Sequence, residues 1–475
     1  TFTVKQFTYG DRVIGDDNTN PFPSFVNRRI NKVLFFRNRL AFLAGENVVL
    51  CRPGTLGEPD FFAETALTVS PNDPIDISCS SNFPSELFDG IDINSGLVVF
   101  SSNQQFLLSS DDTVLNPDTA KLRSISTFNY NKDIRPISLG TTVAYVDNSG
   151  KFSRFMEMAN IAREGEPNVV NQSQVVPTLI PKGVDLFTNS RENNLVLLGK
   201  TDTDVVQGFR YLNVGDKRQQ SAWFKWKFNN PIKYHFVIND EYYFLDTDNF
   251  LQEVRLVQTE SDPAIIQDNV DYLLHLDNHV EITGGQFDHP TNKTTFSGLN
   301  WLNSVTTPNY DLVIIDTNTA STRVGRYAKA TISGTSFTVP GDWSGASVFV
   351  GYLYEYKVLF PTFYLTTTQG QSSKADVNSS LVIHRMKLHF GKIGLYETTL
   401  SRTGKNDYTE VYESTELDEY DVSDAPYIDE FIKTIPVYER NTNVDITLKS
   451  QHPAPSTLRA VSWEGDYSPR YYKRV

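Results

Sequence analysis

A short hairpin recurs along the first half of the chain and limits the folds open to it. Residues 39–51 read RLAFLAGENVVLC, two apolar runs around Gly45-Glu46-Asn47. Residues 96–108, GLVVFSSNQQFLL, repeat that form with a polar turn from Ser101 to Asn103. Residues 142–156 turn at Asp147-Asn148-Ser149-Gly150, and 194–212 and 234–257 continue the series. Apolar, β-favouring runs bounded by Gly, Asn, Asp and Ser are the signature of paired antiparallel strands. Turn centres near 45, 102, 149, 201 and 247 lie 57, 47, 52 and 46 residues apart. That spacing is too loose for a strict repeat, but it fits a unit of about 40–50 residues, the size of a propeller blade. A β-sandwich, with strands every 8–12 residues and no longer period, fits less well. With five units visible, closure of a propeller would draw on residues from elsewhere in the chain.

The rest of the chain keeps the β character. Residues 259–310 are polar and turn-rich and read as a boundary carrying short strands. Beyond them lie DLVIID (311–316), SVFVGYLYEYKVLF (347–360), SLVIHRMKLHF (380–390) and VDITLKS (444–450). FIKTIPVY (431–438) cannot be a helix, because Pro436 would break it. The expected class is therefore all-β, a β-propeller-like domain followed by β-sandwich-like domains. The divisions expected are an arm over 1–30, the propeller-like domain over 31–258, a β-rich inserted or tip domain over 259–370, and a C-terminal β domain over 371–475.

Composition narrows the function. The 475 residues carry 57 acidic and 43 basic side chains, a net charge of −14. A protein that clamps nucleic acid needs clustered Lys and Arg to neutralise phosphate, so this balance argues against one. It leaves open a protein that only lets nucleic acid pass. The acidity is local. From Asp407 to Ile432 there are ten acids and no Lys or Arg, and without them the other 449 residues would carry −4. Eight of these form the candidate functional run: Asp407, Glu410, Glu413, Glu416, Asp418, Glu419, Asp421 and Asp424. Such a run reads either as a solvated, self-repelling loop or as a surface that meets a basic partner or repels a polyanion. Cys51 and Cys79 are too few for a disulfide framework and read as buried thiols.

Motif-borne chemistry is absent from the sequence. It holds no G-x-S-x-G, P-loop, G-x-G-x-x-G or H-E-x-x-H. His275 and His279 would come close enough to share a metal only on a helix; their surroundings look like strand, where positions four apart share a face but sit about 13 Å apart, so no metal is expected there, and no cofactor or catalytic residue is expected elsewhere. His384 and His389, five apart in a strand, are expected on opposite faces. Trp223-Phe224-Lys225-Trp226-Lys227-Phe228 alternates as a half-buried strand would. The stretch Arg28-Arg29-Ile30-Asn31-Lys32, with Arg37 and Arg39, and the terminal Arg470–Arg474 form weakly basic patches suited to partner contacts.

The segment FFRNRLAFLAGENVVLCR (35–52) resembles the tail tubular protein B, or tail nozzle, family of short-tailed phages (podoviruses of the autographivirus type). The matching residues are Phe35-Phe36-Arg37-Asn38-Arg39-Leu40 and Gly45-Glu46-Asn47-Val48. Asp73-Pro74-Ile75-Asp76, Arg218-Gln219-Gln220-Ser221 with Trp223 and Trp226, and Trp463-Glu464-Gly465 with Tyr467 match later landmarks in the same order. None is a catalytic signature. Family members are longer ahead of the first landmark, which implies that further residues precede Thr1. The resemblance implies a structural virion protein at the distal end of a short tail, a subunit of a homo-hexameric ring. Its partners would be further copies, a tubular A-type adaptor ring and tail fibres, with genomic double-stranded DNA passing through unread. The rival readings are a carbohydrate-active or cell-wall-degrading tail enzyme and a receptor-binding tail module. An acidic pair on facing strands would serve the first, and surface-glycan binding without ring formation would mark the second.

Overall fold

The computed structural model describes residues 9–54, 59–81, 83–110, 114–162, 165–214, 217–257, 259, 262–267, 270–298, 310–321, 323–345, 347–369, 372–413 and 430–469. The chain separates into two compact units, Thr1–Val257 and Gln258–Val475. Among the described residues there is no α-helix; apart from one 3-10 turn at Asn441–Asn443, the regular elements are strands.

In the first unit the strands make four antiparallel sheets, each a meander in chain order. The first holds Ile30–Phe36, Arg39–Ala44, Asn47–Leu50 and Ile75–Ser78. The second holds Leu87–Ile93, Gly96–Ser101, Gln105–Ser110 and Ala120–Ser126. The third holds Ile137–Ser138, Val143–Asp147, Arg154–Ala159 and Asn168–Asn171. The fourth has six strands: Leu186–Ser190, Leu195–Gly199, Thr203–Val214, Lys217–Ile238, Glu241–Asp246 and Leu251–Arg255.

Strand periodicity explains how these sheets stack. Successive side chains on a strand point to opposite faces, so a sheet between two others must be apolar on both. In Gly96–Ser101, Leu97 and Val99 pack toward the first sheet, with Leu43, Val48 and Leu50. Val98 and Phe100, the intervening residues, pack toward the third sheet, with Tyr145, Met156 and Met158. The third sheet repeats the device, sending Val146 and Phe155 to Val196, Leu198 and Phe209 of the fourth. Blade-on-blade packing of this kind is propeller-like. One expectation needs correction. The five hairpins fall into four sheets, because those near 201 and 247 belong to the same sheet. The 22-residue strand Lys217–Ile238 joins them, pairing with Thr203–Val214 along its first half and with Glu241–Asp246 along its second.

The second unit contains two sandwiches. In one, the sheet of Asp277–Ile282, Val348–Tyr352, Leu312–Asp316 and Tyr327–Lys329 faces the sheet of Gln286–Asp288, Lys293–Phe296, Ser336–Pro340 and Thr331–Ser333. Ile314, Val350, Phe296 and Phe337 fill the space between. In the other, Tyr356–Leu359, Val444–Ser450, Leu395–Arg402 and Tyr408–Glu413 face the three strands Phe431–Arg440, Ser380–Ile393 and Ser456–Ser468. Met386, Leu388, Tyr396, Ile435 and Leu448 form that core. Pro436 sits in an edge strand opposite Arg385, beside a register shift, where its missing N–H is tolerated. The same irregularity, between Ile383 and Arg385, reverses the alternation of the central strand. His384 and His389 therefore both lie outside the core, His384 beside Asp466 at 3.3 Å and His389 bonded to Ser462, and not on opposite faces as expected.

Candidate functional site

The residues that carry the resemblance are cross-links of the scaffold. Arg37 and Asn38 both have positive φ, at 45° and 61°, and form the two-residue turn between Phe36 and Arg39. Paired positive φ values give the turn that matches strand twist, and Asn tolerates them. The next residue, Arg39, is 2% exposed. Its Nη1 donates to the carbonyls of Cys51 (3.0 Å) and Asp73 (2.7 Å), and its Nη2 to those of Pro71 (3.0 Å) and Leu115 (3.3 Å). One guanidinium thus ties the first sheet to two segments distant in sequence. Its expected role in a basic patch is overturned. Lys32 is likewise paired, with Asp89 at 2.5 Å.

The remaining landmarks behave alike. Asn47 donates to Asp76 (2.9 Å), which also accepts the N–H and hydroxyl of Ser24. Asp73 accepts the Ser70 N–H at 2.7 Å. Arg218 makes a two-pronged pair with Glu157, Nη1 to Oε2 at 2.5 Å and Nη2 to Oε1 at 2.9 Å. The same carboxylate accepts from Thr142 and Gln172, both at 2.7 Å. Trp223 packs into the core between the third and fourth sheets, while Trp226 joins the opposite face with Phe224 and Phe228. Lys225 and Lys227 are exposed, so the alternating segment is a half-buried strand. At the far end, Glu464 pairs with Lys387, and Tyr467 donates to Asp376 at 2.6 Å. Any Cβ on Gly465 would meet the Val382 carbonyl at 2.2 Å, so the strands require glycine there.

Of the acidic run, Asp407 is exposed and Glu410 pairs with Lys433 at 2.5 Å. Glu413 ends the strand Tyr408–Glu413. Glu416, Asp418, Glu419, Asp421 and Asp424 lie outside the described residues, as do Arg470–Arg474. What the structure defines is the stem of the segment. Tyr412, from the strand before it, stacks on Phe431, from the strand after it, with centroids 4.6 Å apart. Glu430 pairs with Arg459 at 2.5 Å. Lys433 and Arg459 compensate the acids at the base of the segment.

No set of three or more His, Cys, Asp or Glu among the described residues could hold a metal ion. Cys51 and Cys79 are buried and unbridged. His235 is 3% exposed, with Nδ1 3.1 Å from the Tyr242 hydroxyl and Nε2 without a hydrogen-bond partner. Burial lowers its pKa to about 4. Below pH 6.5 the unfolded chain takes up a proton there that the folded chain refuses, so stability falls as the pH drops toward 4. The loss approaches about 1.4 kcal/mol per pH unit. His235→Phe is expected to lessen the slope of that part of the stability–pH curve, measured by urea unfolding at successive pH values, with the remaining slope carried by His452 and His275, whose pKa values burial also lowers.

Glu157 was not visible as a functional partner in the sequence, although a lone acid in FMEMA (155–159) is a signal of buried pairing. The described residues thus present a β-rich scaffold pinned by buried polar cross-links. The chain belongs to the bacteriophage nozzle protein family, which it matches over residues 1–474. It is 24% identical over 426 residues to the tail tubular protein gp12 of Escherichia phage T7, a match covering 85% of this chain and 51% of that protein. The chain therefore spans about half the length of this curated relative. Among solved structures, BamB from Moraxella catarrhalis aligns with a TM-score of 0.28 and 13% identity, over 48% of this chain and 59% of that one. Hsv2 from Kluyveromyces lactis aligns at 0.30 and 9%, over 64% and 82%. Likeness at that level says nothing further about this chain. Family membership makes it a structural component of the phage virion, located at the distal tail, and not an enzyme.

Proposed function

We propose that the chain is a subunit of a homo-hexameric nozzle ring that conducts genomic double-stranded DNA during ejection without reading it. Further copies, a tubular A-type adaptor ring and tail fibres are its partners in this reading. The family match along the whole chain is the observation that carries it. Electrostatics supports it. A conduit must offer phosphate no deep attractive well, since retained DNA would stall. The net charge is −14, and several cations are already engaged by acids, including Lys32, Arg52, Arg218, Lys433 and Arg459. In this reading the acidic run from Asp407 to Asp424 faces the lumen or a subunit interface, where it repels the passing polyanion or meets a basic neighbour.

The purified protein is expected to bind duplex DNA only weakly at physiological salt in a mobility-shift assay. Tight, salt-sensitive retention would count against a conduit. It would instead require a concentration of unpaired cations facing the DNA.

A further inference from the structure

We propose that the outer face of the first strand of the first sheet, Ile30–Phe36, with Arg28 and Arg29 beside it, receives the acidic run of a second copy of this chain. The proposal rests on the ring reading and names the basic neighbour that the run meets. Of the basic stretch singled out in the sequence, Lys32 is paired with Asp89, Arg39 is buried among carbonyls and Arg37 lies over the Phe36 ring. Arg28 and Arg29 are exposed, and among the described residues neither side chain makes an ion pair or a hydrogen bond.

Strand parity places apolar groups next to this charge. Val33 pairs with Phe42 and Phe35 with Leu40, and all four point away from the second sheet, toward which Leu34 and Phe36 turn. The register shift after Ile30 sets Ile30 opposite Ala44, so its side chain joins the same face. Phe25 and Phe61 cover Phe42, with ring centroids 5.1 and 5.2 Å away, but leave Ile30, Val33 and Phe35 38%, 56% and 53% exposed. The scaffold uses Phe36, Arg39 and the turn between them, and leaves Phe35 half in solvent.

Chemistry selects the occupant. Two guanidinium groups beside three exposed apolar side chains fit a segment that interleaves acids with apolar residues. Residues 416–422 do so, with Glu416, Asp418, Glu419 and Asp421 around Leu417, Tyr420 and Val422. At the stem, Glu410 and Glu430 already have Lys433 and Arg459, while the sequence between those two acids holds no Lys or Arg. Patch and run are different surfaces of one chain, as the head-to-tail contact that closes a ring requires.

Photo-cross-linking on the full chain tests the contact. Val33→p-benzoylphenylalanine places the probe on the patch, and isotope-labelled and unlabelled chains are mixed as monomers before assembly and irradiation. Peptide mass spectrometry should find the probe joined to residues 413–430, with labelled and unlabelled chains linked to each other. Arg28→Glu with Arg29→Glu should cut that yield about tenfold or more. Adding Glu416→Lys, Asp418→Lys, Glu419→Lys and Asp421→Lys to the same chain should restore it. Links within one chain, links to other segments, or a yield indifferent to charge reversal would overturn the proposal. Assembled rings without the link would overturn it and leave the ring reading intact, whereas monomers at every concentration would overturn both.

Discussion

Arg39→Met is expected to remove on the order of 3–5 kcal/mol of stability from the first unit, as measured by the urea midpoint of tryptophan fluorescence. Domains of this kind have only about 5–15 kcal/mol in all, so such a loss would leave much of the protein unfolded at physiological temperature. The cause is specific. Arg39 is buried, and its guanidinium satisfies four carbonyls, those of Cys51, Pro71, Asp73 and Leu115. Methionine fills most of the space but leaves those acceptors without a donor, each costing about 1–3 kcal/mol if water cannot reach it. Arg39→Lys should recover little, since one ammonium cannot reproduce a planar fork serving acceptors on two sides. A full recovery by lysine would show that charge matters there and geometry does not.

Arg218→Met is the second large effect. Glu157 is 4% exposed, and losing its partner leaves a buried carboxylate with only Thr142 and Gln172 as donors. Stranding one charge of a buried pair costs about 3–5 kcal/mol, whereas replacing both partners can be nearly neutral. Glu157→Gln combined with Arg218→Met should therefore be more stable than Arg218→Met alone, by at least about 1 kcal/mol. The pair ties the long strand Lys217–Ile238 to the third sheet, so the single variant should also expose that strand's backbone to hydrogen exchange. Additive effects in the double variant would mean that the two side chains do not act as a unit.

These two residues also show what the sequence revealed and what it concealed. The inner hairpins were legible because their strands are buried on both faces and read as unbroken apolar runs: Leu97–Phe100, Phe106–Leu108 and Leu195–Leu198. Outer strands such as Ile137–Ser138 and Asn168–Asn171 carry few apolar residues and left no such signal. The pairing of two hairpins in one sheet was hidden because it depends on Lys217–Ile238 changing partners midway. Arg39 looked like a surface cation because nothing local shows that carbonyls from residues 51 to 115 will converge on it. The landmark motifs were readable as a set, but their physical role appeared only in three dimensions, as a turn at Arg37-Asn38, hydrogen-bonded cross-links at Arg39 and Asn47, and the Arg218–Glu157 pair. Of the acidic run, the sequence shows the charge and the structure shows the stem, where Tyr412 and Phe431 stack.

The most direct test of the nozzle reading is negative-stain electron microscopy of the purified protein, with class averages viewed along the particle axis. The account predicts closed six-fold rings with a central channel wide enough to pass a DNA duplex. Rings without a channel, closed rings of another symmetry, or discrete monomers at all concentrations would contradict it.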